Sequence, residues 1–125
     1  METVKAEMKK VYCDTLLELA KTDDRIVIIN SDSRNITGTA PFETAYPDRS
    51  FNVGIAEANM VGVAAGLSVS GKRPFVHAFG PFMTRRVLDQ MTISLAYSGL
   101  NAVLVGVSPG IIAEVNGGTH QGYED

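Results

Sequence analysis

Arg25-Ile26-Val27-Ile28-Ile29-Asn30 is an unbroken β-branched run with a polar residue at each end. Runs of this kind belong to strands covered on both faces, as in a parallel sheet. Ser50 to Val53, Phe75-Val76-His77-Ala78-Phe79 and Ala102-Val103-Leu104-Val105-Gly106-Val107 read as further strands, the last also buried. A stretch of small and apolar residues from about Ala56 to Ser70 fits a helix between the second and third strands, closed by Gly71-Lys72-Arg73-Pro74. Pro81 suits the first turn of another helix running to about Ser98. Ahead of the first strand, residues 3 to 21 read as an amphipathic helix with Val4, Met8, Val11, Leu16 and Leu19 as its stripe. The segment from Ser31 to Pro47 is rich in Gly, Thr, Pro and Asn, which argues for loop. This alternation predicts an α/β fold, a doubly wound parallel sheet with helices on both faces.

Composition narrows the function classes. The chain of 125 residues is long enough for one domain with its own core. A net charge of −3 gives no reason to expect nucleic acid or an anionic membrane as partner. No apolar run reaches the roughly 18 residues that a membrane span needs. One cysteine, Cys13, allows no internal disulfide and makes a cytoplasmic setting the expectation. Placed mid-helix, Cys13 reads as a small packing residue. Neither GxGxxG after a strand nor GxxxxGK[ST] is present, and no GxSxG elbow occurs. Two histidines and one cysteine do not make a zinc cluster, so no metal ligands are assigned in this chain.

In an open parallel sheet, ligands bind beyond the carboxyl ends of the strands. Polar and aromatic residues gather there: Asp32 after the first strand, Glu57 after the second, Phe79 and Phe82 after the third, His120 beyond the fourth. Glu57 is the most telling. In Gly54-Ile55-Ala56-Glu57 a carboxylate stands where a strand turns into a dry helix, and an unpaired charge in such a place is costly. The local sequence leaves two partners open, the positive end of the helix or a ligand. Phe79 and Phe82 read equally as core aromatics, and Asp32 equally as a capper of its loop.

Taken in order, Gly54-Ile55-Ala56-Glu57, Ala64-Ala65-Gly66-Leu67, Phe79-x-x-Phe82 and Gly118-Thr119-His120-Gln121 resemble the pyrimidine-binding domain of transketolase-type, thiamine-diphosphate-dependent enzymes. The nearest in appearance are C-terminal subunits of split transketolases and deoxyxylulose-phosphate synthases. The resemblance runs from Ile26 to Gln121. It implies a catalytic role for Glu57, whose carboxyl would hydrogen-bond N1′ of the aminopyrimidine and favour its imino tautomer. It implies that Phe79 and Phe82 line the pyrimidine pocket and that Asp32 lies near the cofactor. It implies substrate contacts for His120 and Arg85, with His120 also moving protons, for which its near-neutral pKa suits it. A solvated surface arginine remains an equal reading of Arg85.

The chain also departs from that family. Asn116 stands where transketolases carry an aspartate that reads the substrate's 2-hydroxyl, Gly118 replaces a proline, and Ser108 replaces a histidine. Asn116 is still expected to touch substrate through its amide. The resemblance ends at Asp125, before the family's domain is complete, and no GDG…N segment for Mg²⁺ and the diphosphate appears. Thiamine diphosphate and Mg²⁺ are thus expected to need a partner diphosphate-binding subunit or domain, with the chain alone silent and prone to self-association as a homo-oligomer. The expected reaction is transfer of a two-carbon ketol unit between sugar phosphates. The other readings are a deoxyxylulose-phosphate-synthase-like or pyruvate-dehydrogenase-beta-like subunit, and a non-catalytic α/β assembly module.

Overall fold

The computed structural model describes residues 7–123. Four parallel strands form one sheet: β1 (Ile26–Asn30), β2 (Ser50–Asn52), β3 (Arg73–Phe79) and β4 (Val103–Val107), in the order β2-β1-β3-β4. All five residues of β1 are buried, as its β-branched run predicts. β4 differs from the expectation of a second buried strand. It closes one edge of the sheet, and Val103 is 42% exposed.

The strand period of two sends alternate side chains to opposite faces. Ile26 and Ile28 of β1 and Phe75 of β3 pack on one face with Cys13, Leu16 and Ala20 of α1 (Met8–Ala20) and with Phe42. Ile29, Val76 and Ala78 pack on the other with Met60, Val61 and Ala64 of α4 (Glu57–Val69). The register Ile28↔Phe75 and Ile29↔Val76 keeps the two faces separate. Helices therefore cover both sides, and the doubly wound α/β reading holds.

Three local expectations change. The buried face of α1 is Cys13, Leu16 and Ala20, whereas Met8, Val11 and Leu19 are exposed. Leu16 of the expected stripe is buried, joined by Cys13 and Ala20 against Ile26, Ile28 and Phe42; Cys13 is thus a packing residue. Val4 and the helix start proposed at residue 3 lie outside the described residues.

The segment after β1 holds two short helices, α2 (Arg34–Thr37) and α3 (Ala40–Ala45). They form because Gly38 takes a left-handed conformation (φ 76°) between them. Side chains then tie the segment to β1. Thr37 Oγ1 donates to Asn30 Oδ1 (3.2 Å), Asn30 Nδ2 donates to Thr39 Oγ1 (3.1 Å), and Phe42 is fully buried.

The helix expected from Pro81 to Ser98 is broken. α5 (Gly80–Met83) stops at Thr84 (φ −108°, ψ −91°), and a 3₁₀ turn, Arg85–Val87, follows. α6 (Leu88–Gln90) then runs into a π-helical stretch, Met91–Tyr97. The break lets Met83 and Val87 enter the core while Phe82 and Arg86 turn to the strand ends. Among the described residues no helix is long and apolar enough to cross a membrane.

Candidate functional site

The chain reverses its direction of travel across the sheet between β1 and β3, which is where an open α/β sheet forms its ligand crevice. A cleft of about 260 Å³ lies there. Its wall follows chain order: Ser31, Asp32, Ser33 and Ile36 after β1, Ile55 and Glu57 after β2, Phe79, Phe82 and Arg86 after β3, and His120 beyond β4. The structure therefore brings Asp32, Glu57, Phe79, Phe82 and His120 into one site.

Glu57 is placed by the turn before it. Gly54 has φ 72°, a left-handed conformation open to glycine, and Glu57 opens the first turn of α4. The residue is only 4% exposed. Its Oε2 accepts from Arg86 Nη1 at 2.9 Å. Among the described residues no hydrogen bond reaches Oε1. Every fully enclosed side-chain oxygen or nitrogen there has a partner, so Oε1 is not fully enclosed, on a residue that lines the cleft. The question raised by the sequence thus has two answers. One carboxylate oxygen is held by protein, and the other is available.

Phe79, Phe82 and His120 form an edge-to-face trio, with ring centroids 5.8 Å (Phe79–Phe82), 4.9 Å (Phe79–His120) and 4.8 Å (Phe82–His120) apart. One face of Phe82 is occupied, because the Arg86 guanidinium lies 3.5 Å from its ring centroid. Thr119 Oγ1 contacts His120 Nδ1 at 2.9 Å, leaving Nε2 for another group.

Asp32 sits at the rim in a left-handed conformation (φ 57°), unusual for a residue with a side chain. Asn52 supports it. The Asn52 amide oxygen accepts from the backbone N–H groups of Asp32 and Gly54, both at 3.0 Å, and its Nδ2 donates to Asp32 Oδ1 at 3.4 Å. One asparagine at the end of β2 thereby fixes the loops after β1 and β2. Sequence reasoning missed Asn52, although a polar residue closing a strand beside Gly54 was the signal available.

Two proposed substrate residues are not among those lining the cleft. Asn116 is exposed, and neither it nor Arg85 is among the lining residues. The resemblance gave the substrate contact to Arg85. Thr84 ends α5, and the arginine reaching the cleft is Arg86.

A buried pair lies beneath the site. His77, wholly buried in β3, contacts Ile29 O through Nδ1 (3.2 Å) and Tyr12 Oη through Nε2 (2.8 Å). Burial holds its pKa down to about 4 and pushes the Tyr12 hydroxyl up. His77 is thus buried with both ring nitrogens engaged.

Chemically, the cleft offers an apolar, ring-edged wall with one open carboxylate oxygen at its base. That suits a flat heteroaromatic ring presenting a single N–H.

Comparison with known proteins agrees with this geometry. Residues 4–125 match the family model described as the transketolase pyrimidine binding domain. The chain is 52% identical over 118 residues to the 6-deoxy-6-sulfo-D-fructose transketolase subunit of Clostridium sp. (strain MSTE9), a match spanning 94% of this chain and 37% of that protein. It is 41% identical over 115 residues to 1-deoxy-D-xylulose-5-phosphate synthase of Thermomicrobium roseum (strain ATCC 27502 / DSM 5159 / P-2), spanning 92% of this chain and 18% of that one. Among solved structures, a split gene transketolase described as an inactive beta4 tetramer aligns with a TM-score of 0.72 and 37% identity, over 82% of this chain and 33% of its own. The chain thus spans about a third or less of these relatives.

Proposed function

The chain belongs to the family of transketolase pyrimidine-binding domains, and from that premise we propose that it is the pyrimidine-binding part of a transketolase-type enzyme transferring a two-carbon ketol unit between sugar phosphates. The open Oε1 of Glu57, at the base of a ring-edged cleft, carries the reading. When bound, thiamine diphosphate supplies the electron sink that carbon–carbon cleavage in a ketose requires. The residues present fit its aminopyrimidine. Glu57 Oε1 accepts from a ring N–H, Phe79 and His120 give the slot its apolar edge, and Asp32 bounds it at the rim.

Each residue has a task in this reading. Glu57 is buried, so its hydrogen bond to a ring nitrogen forms in a water-poor setting where it is stronger than in water. It thereby holds a proton at that nitrogen. His120, with Nδ1 engaged by Thr119, turns Nε2 to the hydroxyl and carbonyl oxygens of the sugar. Mg²⁺ and the diphosphate fall to a partner diphosphate-binding subunit or domain, in a cytoplasmic oligomer. On this assignment the isolated chain turns over no substrate by itself. A deoxyxylulose-phosphate-synthase-like reaction is the second reading, favoured by the 41% identity to such a synthase.

The test is reconstitution with a diphosphate-binding partner and an assay of ketol transfer by native and Glu57→Gln chains. Losing a proton-holding group of this kind costs roughly 10²- to 10⁴-fold in rate. Equal rates would overturn the role of Glu57, and turnover by the isolated chain would overturn the partner requirement.

A further inference from the structure

The arginine of the cleft has a task of its own. Its guanidinium is fixed on two sides, lying 3.5 Å over the Phe82 ring and donating from Nη1 to Glu57 Oε2 at 2.9 Å. The two contacts are of different kinds, one electrostatic against a π-face and one charge-assisted and directional, so together they define both place and orientation. The Glu57 side chain has no other hydrogen bond among the described residues. A glutamate has three side-chain torsions, and burial alone does not choose between its two oxygens. Arg86 does, by taking Oε2 and leaving Oε1 to the cleft. It also offsets a charge that would otherwise stand nearly enclosed at 4% exposure.

We infer that Arg86 is a positioning residue, which holds the Glu57 carboxylate so that one defined oxygen receives the N–H of a bound aminopyrimidine protonated at its ring nitrogen. The inference rests on the reading of Glu57 as the aminopyrimidine acceptor. It also explains why Phe82 is aromatic although one of its faces does not meet the cleft: that face seats the arginine. Lysine would keep the charge but lose the planar stacking and the fork of donors.

Free 4-amino-5-hydroxymethyl-2-methylpyrimidine is the probe, since it carries no diphosphate for another domain to bind. Its affinity is read from amide chemical shifts of the full 125-residue chain. Native protein is expected to bind in the millimolar range, with shifts at Glu57, Phe79 and His120. Arg86→Ala should weaken binding about tenfold or more, the scale of a charge-assisted hydrogen bond, and Arg86→Lys should recover part of the loss. The double variant with Glu57→Gln should bind no worse than Glu57→Gln alone, because Arg86 acts only through Glu57.

The inference fails if Arg86→Ala binds like native protein while Glu57→Gln is weakened, or if the two losses multiply in the double variant. A general packing role for Arg86 would give that multiplication. If Arg86→Ala does not fold, Arg86→Gln and Arg86→Lys carry the comparison, with Lys expected to retain more. A native chain without cleft shifts, or a Glu57→Gln chain binding as well as native, would overturn the acceptor reading and the inference with it.

Discussion

Between about pH 6.5 and 4, acid should weaken this fold through a buried histidine. His77 has a pKa held down to about 4 from the ordinary 6.5, chiefly by burial. Above pH 6.5 the ring is neutral whether the chain is folded or not, and it adds no pH dependence. Between 6.5 and about 4 the unfolded chain takes up a proton that the folded chain refuses, so stability falls as pH falls. Below about 4 both forms are protonated and the loss stops growing. The gap of about 2.5 units corresponds to roughly 3 kcal/mol at about 1.4 kcal/mol per unit, a large share of a small domain's stability. Carboxylates titrate over part of the same window, so the native profile alone does not isolate the term. His77→Gln does, because glutamine stays uncharged throughout. Denaturant unfolding at pH 7, 5.5 and 4.5 should show the native chain losing stability faster than His77→Gln, with the difference approaching roughly 3 kcal/mol. Parallel profiles would refute the argument. Tyr12→Phe should keep the pH effect and lower stability at every pH by about 1 kcal/mol, because Nε2 loses its donor.

Two other perturbations probe how the scaffold holds the cleft. A Cβ added at Gly106 would stand 3.0 Å from Gly80 Cα, a backbone atom that cannot turn aside. Gly106→Ala should cost about 1–3 kcal/mol in denaturant unfolding, whereas Gly66→Ala, where nothing lies within 4 Å, should not. Asn52→Ala removes the acceptor shared by the Asp32 and Gly54 amides. Those two amides should then exchange with solvent markedly faster, for about 1 kcal/mol of stability; unchanged exchange would mean the loops are fixed by other contacts.

The layout of the fold was legible because its deciding signals are local. A β-branched run such as Ile26 to Ile29 has few alternatives, and Gly71 beside Pro74 marks a helix end by backbone geometry alone. Signals that depend on partners were not legible. α1 turns Cys13 and Ala20 inward beside Leu16, and of the expected stripe only Leu16 among the described residues announces that face. The polar segment after β1 becomes helical because Thr37 and Thr39 find Asn30, a strand residue seven and nine positions back. In the sequence those threonines look like loop composition. The break at Thr84 is hidden for the same reason: it is the compromise that serves the core and the cleft at once.

That break also decides which arginine lines the cleft. Arg85 and Arg86 are chemically identical neighbours, and the resemblance selects the first. The chain instead turns through a 3₁₀ segment, and the second reaches the carboxylate. A motif read residue by residue finds the groups that act on a ligand, because their chemistry restricts their type. It does not find the groups that act on those groups. Glu57, Phe79, Phe82 and His120 were visible as a glutamate, two aromatics and a histidine at strand ends. Asn52 and Arg86 were not, because an asparagine or arginine at such places has many uses and only the fold says which one applies. In this cleft Asn52 accepts from the Asp32 and Gly54 amides, and Arg86 donates to Glu57 Oε2. Whether that last contact carries an energetic consequence is what the coupling between Arg86 and Glu57 measures.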